Sequence, residues 1–345
     1  MRLGIFAGYW GATPPARALD VILEADRIGL DSVWTAEAYG SDALTPLAWY
    51  GAHTSRLRLG TAIMQMQART PAATAMAAIT LDHLSGGRFA LGIGASGPQV
   101  VEGWHGQAFG RPLARTREYV EILRTVFSRT EPLKHRGLYY QIPFEGGTGL
   151  GRPLKSIVHP LRNDLPILLG AQGPKNVALA AELCDGVLLL FFGPKLDSLY
   201  RQALESGFSR EGARHTFETF EVMVQTSVII DEDVERAADQ LRPALALYIG
   251  GMGAAEVNFH RNMFVRLGYE AECDQITRLY LSGHTAEAIA AVPTKLIEDI
   301  AIIGPREKVR AELRTWQQTI ATGFITQART PEEVDVLAEL FEVGD

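Results

Sequence analysis

Short apolar runs of strand character alternate along most of the chain with stretches whose apolar residues recur at i, i+3, i+4 and i+7. That alternation is how a parallel sheet covered by helices reads in sequence. The runs predict strands over Leu3 to Phe6, Ser32 to Thr35, Leu57 to Ile63, Arg88 to Ile93, Pro166 to Leu169, Gly186 to Leu190, Val222 to Ile230 and Phe324 to Gln327. A first helix is predicted to open at Pro14-Pro15, with Pro15, Ala18, Leu19 and Ile22 on one face, and to close at Gly29. Further helices are predicted over Pro46 to Thr54, Pro71 to Leu84, Arg115 to Phe127, Pro174 to Leu183 and Leu196 to Ser206, and from Pro305 and Pro331 onward. Ser85-Gly86-Gly87 stops the one that begins at Pro71.

Two stretches break the rhythm. Residues 129–164 are irregular and carry Gly146, Gly147, Gly149 and Gly151, which reads as an insertion, a hairpin with a mobile tip. Residues 231–304 are mostly helical in pattern and too long for one strand-to-strand connection. Eight strands with eight helical connections predict an α/β chain folded as one (β/α)8 TIM barrel over 1–345 with these two insertions, in preference to an open doubly wound sheet.

Composition narrows the class. With 345 residues, folding buries roughly 75% of the extended surface, so a large core is available. No run approaches the 18 or so consecutive apolar residues of a membrane span, so no membrane partner is expected. A net charge of −7 without a basic run lacks the footprint of a nucleic-acid binder and leaves a small molecule as the expected partner. Met1-Arg2 runs straight into a strand pattern, and Cys184 and Cys273 have no ligand-like spacing, which points to a reducing cytoplasm. No H-E-x-x-H, C-x-x-C or G-x-S-x-G occurs, so no metal site and no hydrolase elbow is indicated.

The candidate chemistry lies where strands end. Gly92, Gly94 and Gly97 spell G-x-G-x-x-G after the fourth strand, yet a dinucleotide fingerprint needs the first strand, a helix at once and an acid about 20 positions on. Here Pro98 follows, and the acid at that distance, Glu118, lies within a helix. What remains is a loop whose glycines let backbone approach a ligand, or a plain tight turn. Gly170-Ala171-Gln172-Gly173-Pro174 precedes a helix N-terminus with Lys175 in its first turn, an anion-site pattern that ordinary turns share. Glu37 sits just past strand two, at the barrel face where sites are built. Ile63 and Met64 end strand three where a flat apolar ring could pack, although the pattern alone favours core packing. His105 lies just beyond the strand-four loop, in reach of the site or simply facing solvent. Tyr9, Trp10, Tyr39 and Trp104 fall at strand ends, suited to an apolar substrate or to packing the mouth.

Taken together, 8-GYWGA-12, 33-VWTAEAYGSDA-43, 58-RLGTAIMQMQARTP-71, 80-TLDHLSGGRFALGIGASGP-98 and 170-GAQGPKNVALAAELCDGV-187 resemble the luciferase-like oxidoreductases. Within them the chain is similar to the branch that uses the deazaflavin coenzyme F420, that of methylenetetrahydromethanopterin reductase. The resemblance runs on to 323-GFITQA-328. It implies a bacterial luciferase-like barrel with the tricyclic ring at the C-terminal mouth, a non-proline cis peptide at Ala62-Ile63 behind the ring, and ring contacts from Gly94, Ala95 and Ser96. It also implies that Gly170 to Pro174 hold the cofactor's phosphate and that the protein is a homodimer. Many relatives carry an Asp-His pair at the end of strand two, and the sugar-oxidising ones use that histidine to take the hydroxyl proton. This chain has Glu37-Ala38, and alanine cannot take a proton, so unless His105 substitutes, hydride transfer to an activated C=C or C=N bond fits better than alcohol oxidation. Glu37 then orients the ring or handles a proton, and His105 is the other catalytic candidate. The alternatives are a monooxygenase that takes reduced FMN, and a cofactor-binding protein without catalysis.

Overall fold

Eight parallel strands form the centre of the computed structural model, which describes residues 1–8, 10–252 and 258–343. They are β1 (Arg2–Phe6), β2 (Ser32–Thr35), β3 (Arg58–Thr61), β4 (Phe89–Gly94), β5 (Ile167–Gly170), β6 (Gly186–Leu190), β7 (Glu221–Gln225) and β8 (Gly323–Thr326). Each pairs in parallel with the next, and β8 returns to β1 with Leu3 opposite Phe324 and Ile5 opposite Thr326. The sheet therefore closes, and the chain is a (β/α)8 barrel.

The two-residue period of the strands sorts the core into layers. Leu3, Ile5, Val33, Leu59, Leu91, Ile167 and Val187 face outward and pack with the surrounding helices. Phe6, Trp34, Ala90, Leu168, Leu188, Met223 and Ile325 form a separate cluster inside the barrel. Trp34 is fully buried and donates from Nε1 to Ser32 Oγ at 2.8 Å. Its ring explains Gly60 on the next strand: a Cβ there would lie 2.2 Å from the indole. The floor of the barrel is thus a packed plug, and open space is left at the C-terminal ends of the strands.

Four expectations from the sequence are corrected. The first helix begins at Ala18, not at Pro14-Pro15, because Arg17 adopts a left-handed conformation (φ 58°) that no helix continues through. Strand three ends at Thr61, two residues early. There Ala62 N donates to Thr35 O and Ile63 O accepts from Glu37 N, which turns the chain toward β2, and the Ala62-Ile63 peptide is cis. The long run Val222 to Ile230 is not one strand: β7 stops at Gln225, and Val228–Ile230 pairs instead with Ile302–Gly304 outside the barrel. Barrel strands here are four to six residues long, so the rest of that run had to find another partner. Finally, a short helix, Pro98–Gly103, starts immediately after Gly97, with Pro98 at its first turn. The fingerprint reading still fails, since no acid stands where the ribose contact would need one.

The two interruptions take different forms. Between the helix Pro112–Ser128 and β5 the chain makes a small hairpin, His135–Arg136 against Gln141–Ile142. Glu118 ties it down by accepting from the N–H groups of Leu138, Tyr139 and Tyr140 at 2.8 to 3.0 Å. The block after Val228–Ile230 folds into short helices around a core of its own, which includes Leu245, Ile249, Phe264, Ile276, Leu296 and Ile297. Phe191, just past β6, belongs to that core and joins it to the barrel mouth.

Candidate active site

A cleft of about 890 Å³ opens at the C-terminal ends of the strands. Its floor is apolar, made by Ala62, Ile63, Leu188, Met223 and Ile325 from the barrel interior. One side is the strand-four loop with Gly94, Ala95, Ser96 and Gly97, and another is the strand-five loop with Gly170, Ala171, Gln172 and Gly173. The helical insertion supplies Tyr248, Phe259 and His260.

The glycines on the floor are set by contact. A Cβ on Gly94 would lie 2.9 Å from the Ile63 side chain, and one on Gly170 would lie 2.7 Å from it. Ile63 therefore rests between two strand ends that have no side chain of their own, and it presents an apolar surface to the cleft. Beside it, Ser96 is held at φ +57°. Gly173 is the N-cap of the helix Pro174–Leu183, and nothing lies within 4 Å of where its Cβ would be. Gln172 Oε1 is buried without a partner, while its Nε2 donates to Leu190 O at 3.3 Å. A buried acceptor of that kind, on the cleft wall, is suited to a ligand donor.

Glu37 is 6% exposed and is held through both carboxylate oxygens. Its Oε1 accepts from Gln65 N at 2.8 Å and from Arg69 Nη1 at 2.6 Å, and its Oε2 accepts from Ala43 N at 3.0 Å. Gln65 returns the contact by donating from Nε2 to the carbonyls of Glu37 and Ala38. His105 Nε2 lies 2.6 Å from Gln65 Oε1, so the ring donates to the amide oxygen. One network thus links the end of β2, the segment after β3 and the segment after the helix Pro98–Gly103.

The cleft gathers most of the residues expected from the sequence: Glu37, Tyr39, Ala62, Ile63, Gly94, Ala95, Ser96, Gly170, Ala171, Gln172 and Gly173. His105 touches it only through Gln65. Pro174 stands back at the first turn of its helix. Three expectations, for Met64, Trp104 and Trp10, are corrected. Met64 is wholly buried away from the cleft, its sulfur 4.0 Å from Thr74 Oγ1 in the layer beneath the helices, because the residue after Ile63 points the other way. Trp104 is 66% exposed at the end of its short helix and does not line the cleft. Trp10 is half-buried off the cleft, and Tyr9 lies outside the described residues. Sequence reading missed Gln65 and Arg69, although the polar Gln65, Gln67 and Arg69 interrupting the apolar 61-TAIMQMQARTP-71 were a signal. It also missed Tyr248, Phe259 and His260, which sit in the insertion without a local pattern. Among the described residues no group of three His, Cys, Asp or Glu side chains is arranged to hold a metal ion, and no helix is long and apolar enough to cross a membrane.

A barrel of this topology with its cleft at the mouth and a cis peptide after β3 defines an insertion-bearing luciferase-like barrel, and residues 1–323 match the luciferase-like monooxygenase family. The chain belongs to that family. It is 51% identical over 342 residues, 99% of each chain, to a Mycobacterium tuberculosis protein whose name provisionally makes it a coenzyme F420-dependent oxidoreductase. It is 28% identical to the 5,10-methylenetetrahydromethanopterin reductase of Archaeoglobus fulgidus over 83% of this chain and 81% of that one. Its fold matches the solved coenzyme F420-dependent tetrahydromethanopterin reductase of Methanopyrus kandleri with a TM-score of 0.78 at 21% identity, covering 98% of this chain and 97% of that one.

Proposed function

We propose that this chain is a coenzyme F420-dependent oxidoreductase, moving a hydride between the deazaflavin and an activated C=C or C=N bond of a small molecule. The end-to-end likeness to the mycobacterial protein supports the cofactor, and the observation that carries it to this chain is the cleft floor. Ile63, set between Gly94 and Gly170, gives a flat ring an apolar backing. The unpartnered Gln172 Oε1 and the open backbone at Gly173 fit the hydroxyl-bearing, phosphorylated tail of such a cofactor, with Pro174 setting the helix start. Bound F420 supplies a ring carbon that gives or takes hydride, while the chain binds, orients and shields it.

On this reading Glu37 and His105 are positioning residues. All the hydrogen bonds of the Glu37 carboxylate serve to hold Gln65, Arg69 and Ala43, and His105 fixes the Gln65 amide. The whole chain, 1–345, acts as one barrel unit with its insertions at about 129–164 and 231–304. It works in the cytoplasm, in keeping with the buried free thiols of Cys184 and Cys273, and pairs as a homodimer. Phe144, Leu150, Leu154 and Ile157 of the first insertion, each more than 70% exposed, support the pairing.

An oxygen electrode tests the reaction type. Protein mixed with reduced F420 and a panel of enones and imines is expected to reoxidise the cofactor without consuming oxygen. Oxygen uptake sustained by reduced FMN would replace this reading with the monooxygenase one.

A further inference from the structure

Three ring-bearing residues that line the cleft come from the insertion, and none of them is needed to hold a cofactor on the barrel side. Tyr248 lies in the turn Leu247–Gly251, and Phe259 and His260 lead into the helix Arg261–Arg266. Asn258, 1% exposed, welds the two segments: its Nδ2 donates to the carbonyls of Tyr248 and Ile249 at 2.9 and 3.0 Å, and its Oδ1 accepts from Arg261 N. The rings are therefore held in place before any ligand arrives. Tyr248 meets the imidazole of His260 edge to face with centroids 4.8 Å apart, Phe259 lies 4.2 Å from it, and Phe191 closes the back at 5.9 Å.

His260 is the polar exception in this wall. Burial among the rings pushes its pKa down to about 3, so the imidazole is neutral at ordinary pH. A neutral imidazole carries one donor and one acceptor nitrogen. Nδ1 is buried and without a partner. An orphaned acceptor is tolerated better than an orphaned N–H, so the proton belongs on Nε2, the nitrogen left to meet a ligand. The rest of the lining limits what that ligand is. No Lys or Arg is among the described residues lining the cleft, and the two carboxylates there are engaged, Glu37 with Arg69 and Glu102 with Phe109 N. Away from the helix N-terminus at Gly173, an anionic ligand against Tyr248, Phe259 and His260 would lie without a countercharge.

Resting on the F420 reading above, we propose that Tyr248, Phe259 and His260 form the substrate subsite. It takes a neutral, largely apolar ring whose carbonyl oxygen accepts a hydrogen bond from His260 Nε2. Substrates of this barrel are thus uncharged cyclic enones and their kin, not phosphorylated or carboxylated metabolites.

A matched pair of probes tests this on F420-loaded protein: 2-cyclohexen-1-one, and cyclohex-1-ene-1-carboxylate, which places a charge on the same ring. Titration calorimetry is expected to show the ketone binding at least about tenfold more tightly. In spectra of protein labelled with 15N-histidine, the ketone is expected to move the resonance that H260F removes. H260F keeps a ring of similar shape and is expected to weaken the ketone about five- to tenfold, the worth of one neutral hydrogen bond. H260Q, which offers a donor in place of Nε2, is expected to recover part of that loss, and both variants should bind F420 as the parent does. Equal binding of ketone and carboxylate, or an unchanged ketone affinity in H260F and H260Q with F420 binding intact, overturns the subsite alone. Parent protein that does not bind F420 overturns the cofactor reading and this one together.

Discussion

The carboxylate of Glu37 illustrates how a residue in a site can look catalytic and be otherwise employed. A general acid or base needs a lone pair or proton free for substrate, whereas three of the roughly four acceptor positions of the Glu37 carboxylate already serve the chain. E37Q keeps the shape but loses the charge opposite Arg69 and turns an N–H pair against a backbone N–H. We expect it to weaken F420 binding several-fold and to lower the thermal midpoint, while the pH profile of the rate keeps its shape. Loss of one limb of that profile, with a rate drop of roughly 100-fold or more, would instead make Glu37 the proton-handling group. The sequence made Glu37 visible because a carboxylate at a strand end is conspicuous. It hid Gln65 and Arg69 because nothing local says that residues 28 and 32 positions away meet that carboxylate. Met64 was misread for a simpler reason: adjacent residues of an extended segment face opposite ways, so Ile63 in the cleft requires Met64 out of it.

Elements with strong local signals were legible. The helices Pro71–Leu84 and Pro174–Leu183 and the strands Ser32–Thr35 and Gly186–Leu190 have the bounds that their proline, glycine and apolar punctuation announces. Where an element depends on a distant partner, the signal was ambiguous. The run Val222 to Ile230 is uniformly strand-like, and only the pairing of Val228–Ile230 with Ile302–Gly304 divides it. The join between β5 and β6 depends on a charge that sequence cannot weigh. Asp185, just before β6, accepts from Ile167 N at 2.7 Å and contacts Arg124 and His215 at 2.7 and 2.9 Å. Burial opposes its ionisation, but the Arg124 guanidinium and these hydrogen bonds together hold its pKa below the usual carboxylate value. A depressed carboxylate contributes stability that is present above its unfolded pKa, about 3.9, and is lost as pH falls through the lower folded value. Unfolding free energy measured in urea should therefore fall below about pH 4 in the parent. D185N should be less stable than the parent at neutral pH, with the difference shrinking on the acid side. A gap that stays constant with pH would remove Asp185 from the acid response.

At the scale of the molecule, the alternation of strand and helix led to the closed barrel, and the likeness of its motifs led to the family. The helical insertion stayed opaque because its residues face a core of their own and the cleft at once, which gives no single period. The outer surface of the first insertion raises the question of assembly. Ile157 is 93% exposed and Leu154 is 77% exposed, with Phe144 and Leu150 of the same insertion also turned outward. Sedimentation velocity is expected to show a dimer for the parent and a shift toward monomer when Leu154 and Ile157 are both replaced by Glu, with the barrel still folded. A parent that sediments as a monomer would leave those side chains without the assigned partner.

Which cofactor the cleft accepts is the central question of this protein's function. Purified protein titrated separately with F420 and with FMN, following the fluorescence of each, decides it. We predict saturable binding of F420 with FMN at least about 100-fold weaker, and loss of F420 affinity when Gly173 is replaced by Asp, which puts a carboxylate where the phosphate is expected. Preferential binding of FMN would contradict the account, and the strand-five loop could no longer be read as a deazaflavin tail site.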